Sequence, residues 1–254
     1  AKGAWGVPAD SDKATFEKVS VETKIGRNKD IKLKVPFVIA GMGSTNVAKQ
    51  NWAGLGGGAA ISGAILTIGE NVCGMDDETE IKNGRVFRSP DMEFRIKSFR
   101  DWQDGYGEVV VQANVEATRL GVQEYTIEKL GIETVELKWG QGAKDIGGEV
   151  KLKTVKKAQS LKKKGYIVLP DPDNPAVIEA FEKGSFKECE RHSRMGMVEE
   201  ESFMARVEEL RKAGAKRIFL KTGAYRPADL ARAVKFASKA KLDLLTVDGA
   251  GGGT

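Results

Sequence analysis

Short apolar runs recur along the chain, separated by amphipathic stretches of helical length. Residues 35–40, a run within 59–68, and residues 109–111, 134–138, 166–169, 217–221 and 242–247 read as seven strands. A run that stays apolar without alternating suits a strand buried on both faces, as in a parallel sheet. Residues 114–130, 154–164, 199–213 and 227–240 read as helices. Gly131, Gly165 and Gly214 each follow one of them, where glycine readily takes the left-handed conformation that ends a helix. Pro227 opens the last helix, where its missing N–H costs little. Such alternation of strand and helix predicts a parallel sheet with helical crossovers.

Seven strands in series predict a (β/α)8 barrel of the TIM type that lacks its eighth βα unit. A doubly wound sheet is the competing arrangement. Residues 1–34 read as an extended lead-in and residues 35–254 as the barrel domain, incomplete at its C-terminus. Within it, residues 70–108 read as an insertion rich in charge and turns, with Asp76-Asp77-Glu78, Asn83-Gly84 and Ser89-Pro90.

Composition narrows the chemistry. At 254 residues and 41% apolar content the chain can bury the core of one large domain. No run is long and apolar enough to span a membrane, and the start, Ala1-Lys2-Gly3-Ala4-Trp5, has no apolar signal core. With only Cys73 and Cys189, far apart in sequence, a reduced cytoplasmic setting is expected. One histidine, His192, and two cysteines provide no metal-ligand spacing, so no metal site is expected. His192 lies in a polar stretch without a nucleophile elbow and reads as a surface residue. The net charge is +5, and lysines cluster at 151, 153, 156, 157, 162, 163 and 164. No aromatic residues interleave with them to stack bases, so they read as a solvated helix face rather than a nucleic-acid surface.

In a parallel barrel the chemistry sits where the strands end. The first strand leads into Gly41-Met42-Gly43-Ser44, the second into Gly69-Glu70-Asn71, and the third into Gln112-Ala113-Asn114. The fourth leads into Lys138-Trp139-Gly140-Gln141-Gly142-Ala143-Lys144, the sixth into Lys221-Thr222-Gly223, and the seventh into Asp248-Gly249-Ala250-Gly251-Gly252-Gly253-Thr254. Small, polar and cationic residues thus converge on one end. Lys138 and Lys221, expected on non-adjacent strands, would make a positive funnel for an anionic ligand. The final glycine loop offers backbone N–H groups to a phosphate.

The segment from Lys138 through Gln141-Gly142-Ala143-Lys144 to Gly147-Gly148 resembles the FMN-binding synthase domain of glutamate synthase. So do Pro36-Phe37 through Ser44, Gly69-Glu70, Leu220-Lys221 and the loop from Asp248 to Thr254, and the resemblance spans roughly residues 35–254. It implies FMN as cofactor and an oxidoreductase that reduces the imine formed from 2-oxoglutarate and ammonia, giving glutamate. It implies that Gly41, Met42, Gly43 and Ser44 line the flavin, and that Lys138, Gln141 and Lys221 reach its polar edge. Asp248, Gly249, Gly251, Gly252, Gly253 and Thr254 would hold its phosphate. Lys144, Gln141 and Glu70 would take catalytic roles. Iron–sulfur cysteines of this family would fall beyond residue 254. A glutaminase or electron-donor subunit and an oligomeric assembly are the partners it implies. Two other readings remain: a non-catalytic or partner-dependent subunit that keeps the barrel, and a phosphate-ligand barrel enzyme of the inosine monophosphate dehydrogenase type.

Overall fold

The structure is a computed structural model and describes residues 12, 19–139, 150–194, 196 and 198–249. In chain order the elements begin with strands β1 (Thr23–Ile25), β2 (Ile31–Leu33) and β3 (Val38–Met42), helix α1 (Asn46–Ser62), β4 (Ile65–Ile68), α2 (Val72–Met75), β5 (Glu80–Lys82), β6 (Arg85–Arg88) and α3 (Pro90–Arg100). They continue with β7 (Glu108–Ala113), α4 (Val115–Arg119), α5 (Val122–Leu130), β8 (Thr134–Lys138), β9 (Val150–Leu152), α6 (Val155–Lys163), β10 (Ile167–Leu169) and α7 (Pro175–Glu182). The last are β11 (Cys189–His192), α8 (Glu200–Ala213), β12 (Arg217–Thr222), α9 (Pro227–Lys239) and β13 (Leu244–Val247).

The fold is mixed α/β. Its centre is a six-stranded sheet in the order β13-β12-β8-β7-β4-β3, with every neighbouring pair parallel. The sheet curls into a half-barrel. Its outer face (Leu66, Ile68, Val109, Val111, Val135, Leu137, Ile218, Leu220) packs on the helices in one large apolar core. Its inner face carries a smaller apolar patch, where Ile65, Val110 and Phe219 meet Ile31 and Leu33 of the β1–β2 hairpin. That hairpin is tied beneath the sheet. Gly107 donates to the Lys32 carbonyl at 2.8 Å, and the Arg27 amide donates to Asp243 at 3.1 Å. Arg217 donates to Asp30 at 2.7 Å.

Two expectations are corrected. The run 166–169 was expected as the fifth barrel strand, but β10 pairs antiparallel with β11, which pairs antiparallel with β9, in a separate three-stranded sheet. Consequently β8 and β12 are direct neighbours, and Lys138 and Lys221 stand side by side in register rather than on non-adjacent strands. The second strand falls within 59–68 as expected, at Ile65–Ile68, and the stretch before it, 46–62, is a helix. Thr45 caps that helix through its hydroxyl, and Gly63 ends it in the left-handed region. Four glycines, each costing about 1 kcal/mol against alanine in a helix, hide it from propensity. At least one is needed: a Cβ on Gly56 would lie 2.8 Å from the Ser98 Cβ, so α1 and α3 touch almost backbone to backbone. The span 70–108 contains α2, the β5–β6 hairpin and α3, and α3 packs directly on α1.

Candidate functional site

The ends of the parallel strands bring together most of the described residues singled out from the sequence. Gly41 and Met42 close β3, and Gly43 and Ser44 form the loop after it. Glu70 follows β4, Lys138 ends β8, Lys221 lies near the end of β12, and Asp248 and Gly249 follow β13. Gln141, Lys144, Gly251, Gly252, Gly253 and Thr254 lie outside the described residues.

Side chains on the inner face follow the two-residue period of the strands. Register places Gln112, Glu136 and Phe219 in one row, and Lys138, Lys221 and Thr246 in the next row toward the strand ends. Two lysines side by side repel, and here each has its own carboxylate. Lys138 Nζ lies 2.7 Å from Glu70 Oε1, and Lys221 Nζ lies 3.1 Å from Asp248 Oδ2. Glu136 is buried in the row beneath. Burial pushes its carboxyl above the ordinary range, while the Gln112 hydrogen bond and the charges of Lys221 and Lys138 pull it back. Gln112 Nε2 donates to Glu136 Oε1 at 2.5 Å. With its amide held in that sense, Gln112 Oε1 has no partner among the described residues and faces Gly41, where a Cβ would come within 2.9 Å.

The loops after β3 and β4 are pressed together. A Cβ on Gly43 would fall on the Glu70 carbonyl oxygen, and one on Gly69 would lie 2.6 Å from the Gly43 nitrogen. Arg95, fully buried on α3, holds the first loop from behind. Its Nη1 donates to the Gly43 carbonyl at 2.9 Å and its Nε to Asp91 at 3.0 Å, and its guanidinium lies 4.4 Å from the Trp52 ring centre.

Glu136, Arg95 and the partnering role of Gln112 were not read from the sequence. Gln112 and Glu136 had a usable signal: each is a single polar residue inside an apolar run, and Glu136 sits one strand period before Lys138. Arg95 had none, because it lies in a charged amphipathic stretch.

Both thiols are buried. Burial pushes the Cys73 thiol up to about 12 and raises that of Cys189. Neither provides a nucleophile at neutral pH. Iodoacetamide should therefore leave Cys73 unmodified in the native protein and label it once urea is added; rapid native labelling, read by mass spectrometry, would contradict this burial. His192 lies on β11, 3.5 Å from Glu190. Of the clustered lysines, Lys157 pairs with Asp77, Lys162 with Asp171 and Asp173, and Lys151 with Glu188. Among the described residues no group of acidic, histidine or cysteine side chains could hold a metal ion. No described helix is long and apolar enough to cross a membrane.

A search of curated proteins found no match. A family model described as a conserved region in glutamate synthase matches residues 7–162. The matched part contains Gly41–Ser44 by number, Glu70 and Lys138; Lys221 and the loop from Asp248 lie outside it. With more than half of its residues inside that match, the chain belongs to the glutamate synthase family.

Proposed function

We propose that this chain is the FMN-binding part of a glutamate synthase-like oxidoreductase, built on a (β/α)8-type barrel whose remaining strands lie outside the six described. The observation that carries the reading is the pair of in-register lysines at the strand ends, one of them held by Glu70 beside the glycine loop after β3, in a chain of this family. A flat ring with a polar, electron-rich edge suits this floor. The side-chain-free surface at Gly41 and Gly43 lets a ring approach the backbone, and the orphaned Gln112 Oε1 calls for an N–H donor. FMN, when bound, would supply hydride to the imine carbon of the substrate.

The residues of the chain bind, orient and hold charge. Lys138 and Lys221 neutralise negative charge at the ring edge and on the substrate carboxylate, an electrostatic role that is strongest where water is excluded. Glu70 holds Lys138 in place, and Glu136 fixes the Gln112 amide so that its oxygen faces the ring. Lys144 and Gln141 would close the site from the loop after β8, and residues 248–254 would bind the phosphate. The acid would be 2-oxoglutarate, with ammonia from solution or a glutaminase subunit, and electrons from a donor subunit. The reading that needs a catalytic cysteine, as in the inosine monophosphate dehydrogenase type, is disfavoured by two buried thiols with raised pKa values.

The test is direct. Full-length protein carrying this chain should purify yellow, or take up added FMN. Lys138→Met should weaken FMN binding or slow turnover by about tenfold or more, as expected for loss of a charge aimed at a developing anion. A colourless protein that refuses FMN would sink the reading.

A further inference from the structure

Strands β8 and β12 also present a second, outer side to the helices. Side chains alternate along a strand, so Lys138 points to the inner face and the next residue, Trp139, to the helix-covered outer face. The Trp139 ring stands edge-on to Phe203 of α8, 5.0 Å between centres, and to Phe236 of α9 at 6.2 Å. Both phenylalanines are buried in the outer core. Beside this aromatic cluster, between the starts of α8 and α9, lies a cavity of about 450 Å³, an ordinary size for a small-molecule site. Trp139, Val198, Ala224 and Tyr225 form its apolar part, and Arg226, Asp229 and Arg232 its charged part.

The charged part does not balance. Arg226, Asp229 and Arg232 follow one another at intervals of three along the start of α9, and so share one face of it. Arg226 Nε donates to Asp229 Oδ2 at 2.9 Å, and these two charges cancel. Arg232 makes no hydrogen bond or ion pair among the described residues. One positive charge is therefore left over in a cavity walled by indole, phenol and valine. The apolar wall is open as well: Val198 is 47% exposed, and Trp139 and Tyr225 are only half-buried.

We propose that this cavity binds a small molecule that joins a flat apolar body to a single anionic group. The Trp139 and Tyr225 rings and Val198 would hold the body, and the Arg232 fork would pair with the anion. One uncompensated guanidinium matches one negative charge, so a neutral or cationic molecule of the same shape is selected against. The lysine pair points through the opposite face of the same strands. The cavity is thus a separate site, and it does not rest on the function proposed above.

Calorimetric titration of the full-length protein would use 2-naphthoate, with 2-naphthylmethanol as its neutral counterpart of nearly the same shape. Wild type should prefer the acid by about tenfold or more, the difference expected of a charge-assisted pair. Arg232→Gln changes an exposed residue, so the melting temperature should hold while the two affinities come within about threefold. Ala224→Trp places an indole in the cavity from an exposed loop position and should abolish binding of both. It also separates this site from the strand-end site. If 2-naphthoate binds Ala224→Trp with wild-type affinity, it binds elsewhere, and the proposal is overturned. A wild type that binds neither probe, or both alike, would overturn it too, as would a folded Arg232→Gln protein that keeps the wild-type preference. FMN uptake, measured on the same samples, reports separately on the flavin reading.

Discussion

Gly43→Ala should give a folded but destabilised protein and, on the proposed function, one with much weaker affinity for FMN. The added methyl would fall on the Glu70 carbonyl oxygen, which is backbone and cannot swing aside. Relief requires the loops after β3 and β4 to separate. That motion would carry Glu70 away from Lys138 and Asn71 away from Arg191, and would strain the grip of Arg95 on the Gly43 carbonyl. Overpacking of this kind costs about 1–3 kcal/mol, more where backbone opposes backbone. On the proposed function, FMN affinity should fall by about a hundredfold, because the wall of the ring site is what moves. Gly58→Ala is the control: nothing lies within 4 Å of a Cβ there, on the same α1 helix, so it should be neutral or stabilise by up to about 1 kcal/mol. Thermal melts and fluorescence titration with FMN check both. Wild-type FMN affinity in Gly43→Ala would remove the β3–α1 loop from the site.

Arg217→Met should cost about 3–5 kcal/mol at neutral pH, the usual penalty for taking one partner out of a buried ion cluster. Arg217 donates to Glu108 at 2.6 Å, Asp30 at 2.7 Å, Thr134 at 2.8 Å and Glu133 at 3.1 Å, joining β7, β8 and the β1–β2 hairpin to β12. The loss should depend on pH, and the sign follows from two groups. Burial raises the Glu108 carboxyl above its ordinary value and Arg217 opposes that rise, so without Arg217 the ionised form is costlier still. Glu133 is held below its ordinary value, by Lys216 first and by Arg217 in part. Its contribution is present above the unfolded pKa and lost as pH falls through the folded one. Both effects make the deficit of the variant largest near pH 7–8 and shrink it as the carboxyls protonate toward about pH 4. Urea unfolding of both proteins at pH 8 and pH 5 measures this. A deficit equal at the two values would mean that the loss is one of packing, not of charge.

The parallel sheet was legible because its four central strands are buried on both faces and so read as largely apolar runs, Val109-Val110-Val111 most plainly. The same criterion misassigned Ile167-Val168-Leu169. An apolar triplet looks alike in either sheet, and its partner, Cys189-Glu190-Arg191-His192, is too polar to announce a strand. That one exchange of sheets also explains why Lys138 and Lys221 were expected apart. The α1 helix was hidden by glycines whose purpose, close approach to α3, is visible only once the helices are packed. Of the site, the loop ends were legible because turns and strand ends carry glycine and charge. Its floor was not, since Gln112 and Glu136 acquire meaning only when neighbouring strands set them side by side.

The inner face of the sheet has a consequence for how this protein can change. Ile65 and Val110 are apolar, but from the row of Gln112, Glu136 and Phe219 upward the inner face carries amide, carboxylate and ammonium groups. These residues add little hydrophobic free energy, which comes instead from the outer, helix-covered face. Adaptation to a new ligand could therefore rewrite the upper inner rows, one charge-balanced pair at a time, while the buried hydrocarbon that keeps the domain folded stays untouched. Thermodynamic robustness and chemical novelty are assigned to opposite sides of the same strands, and a lineage can explore one without wagering the other.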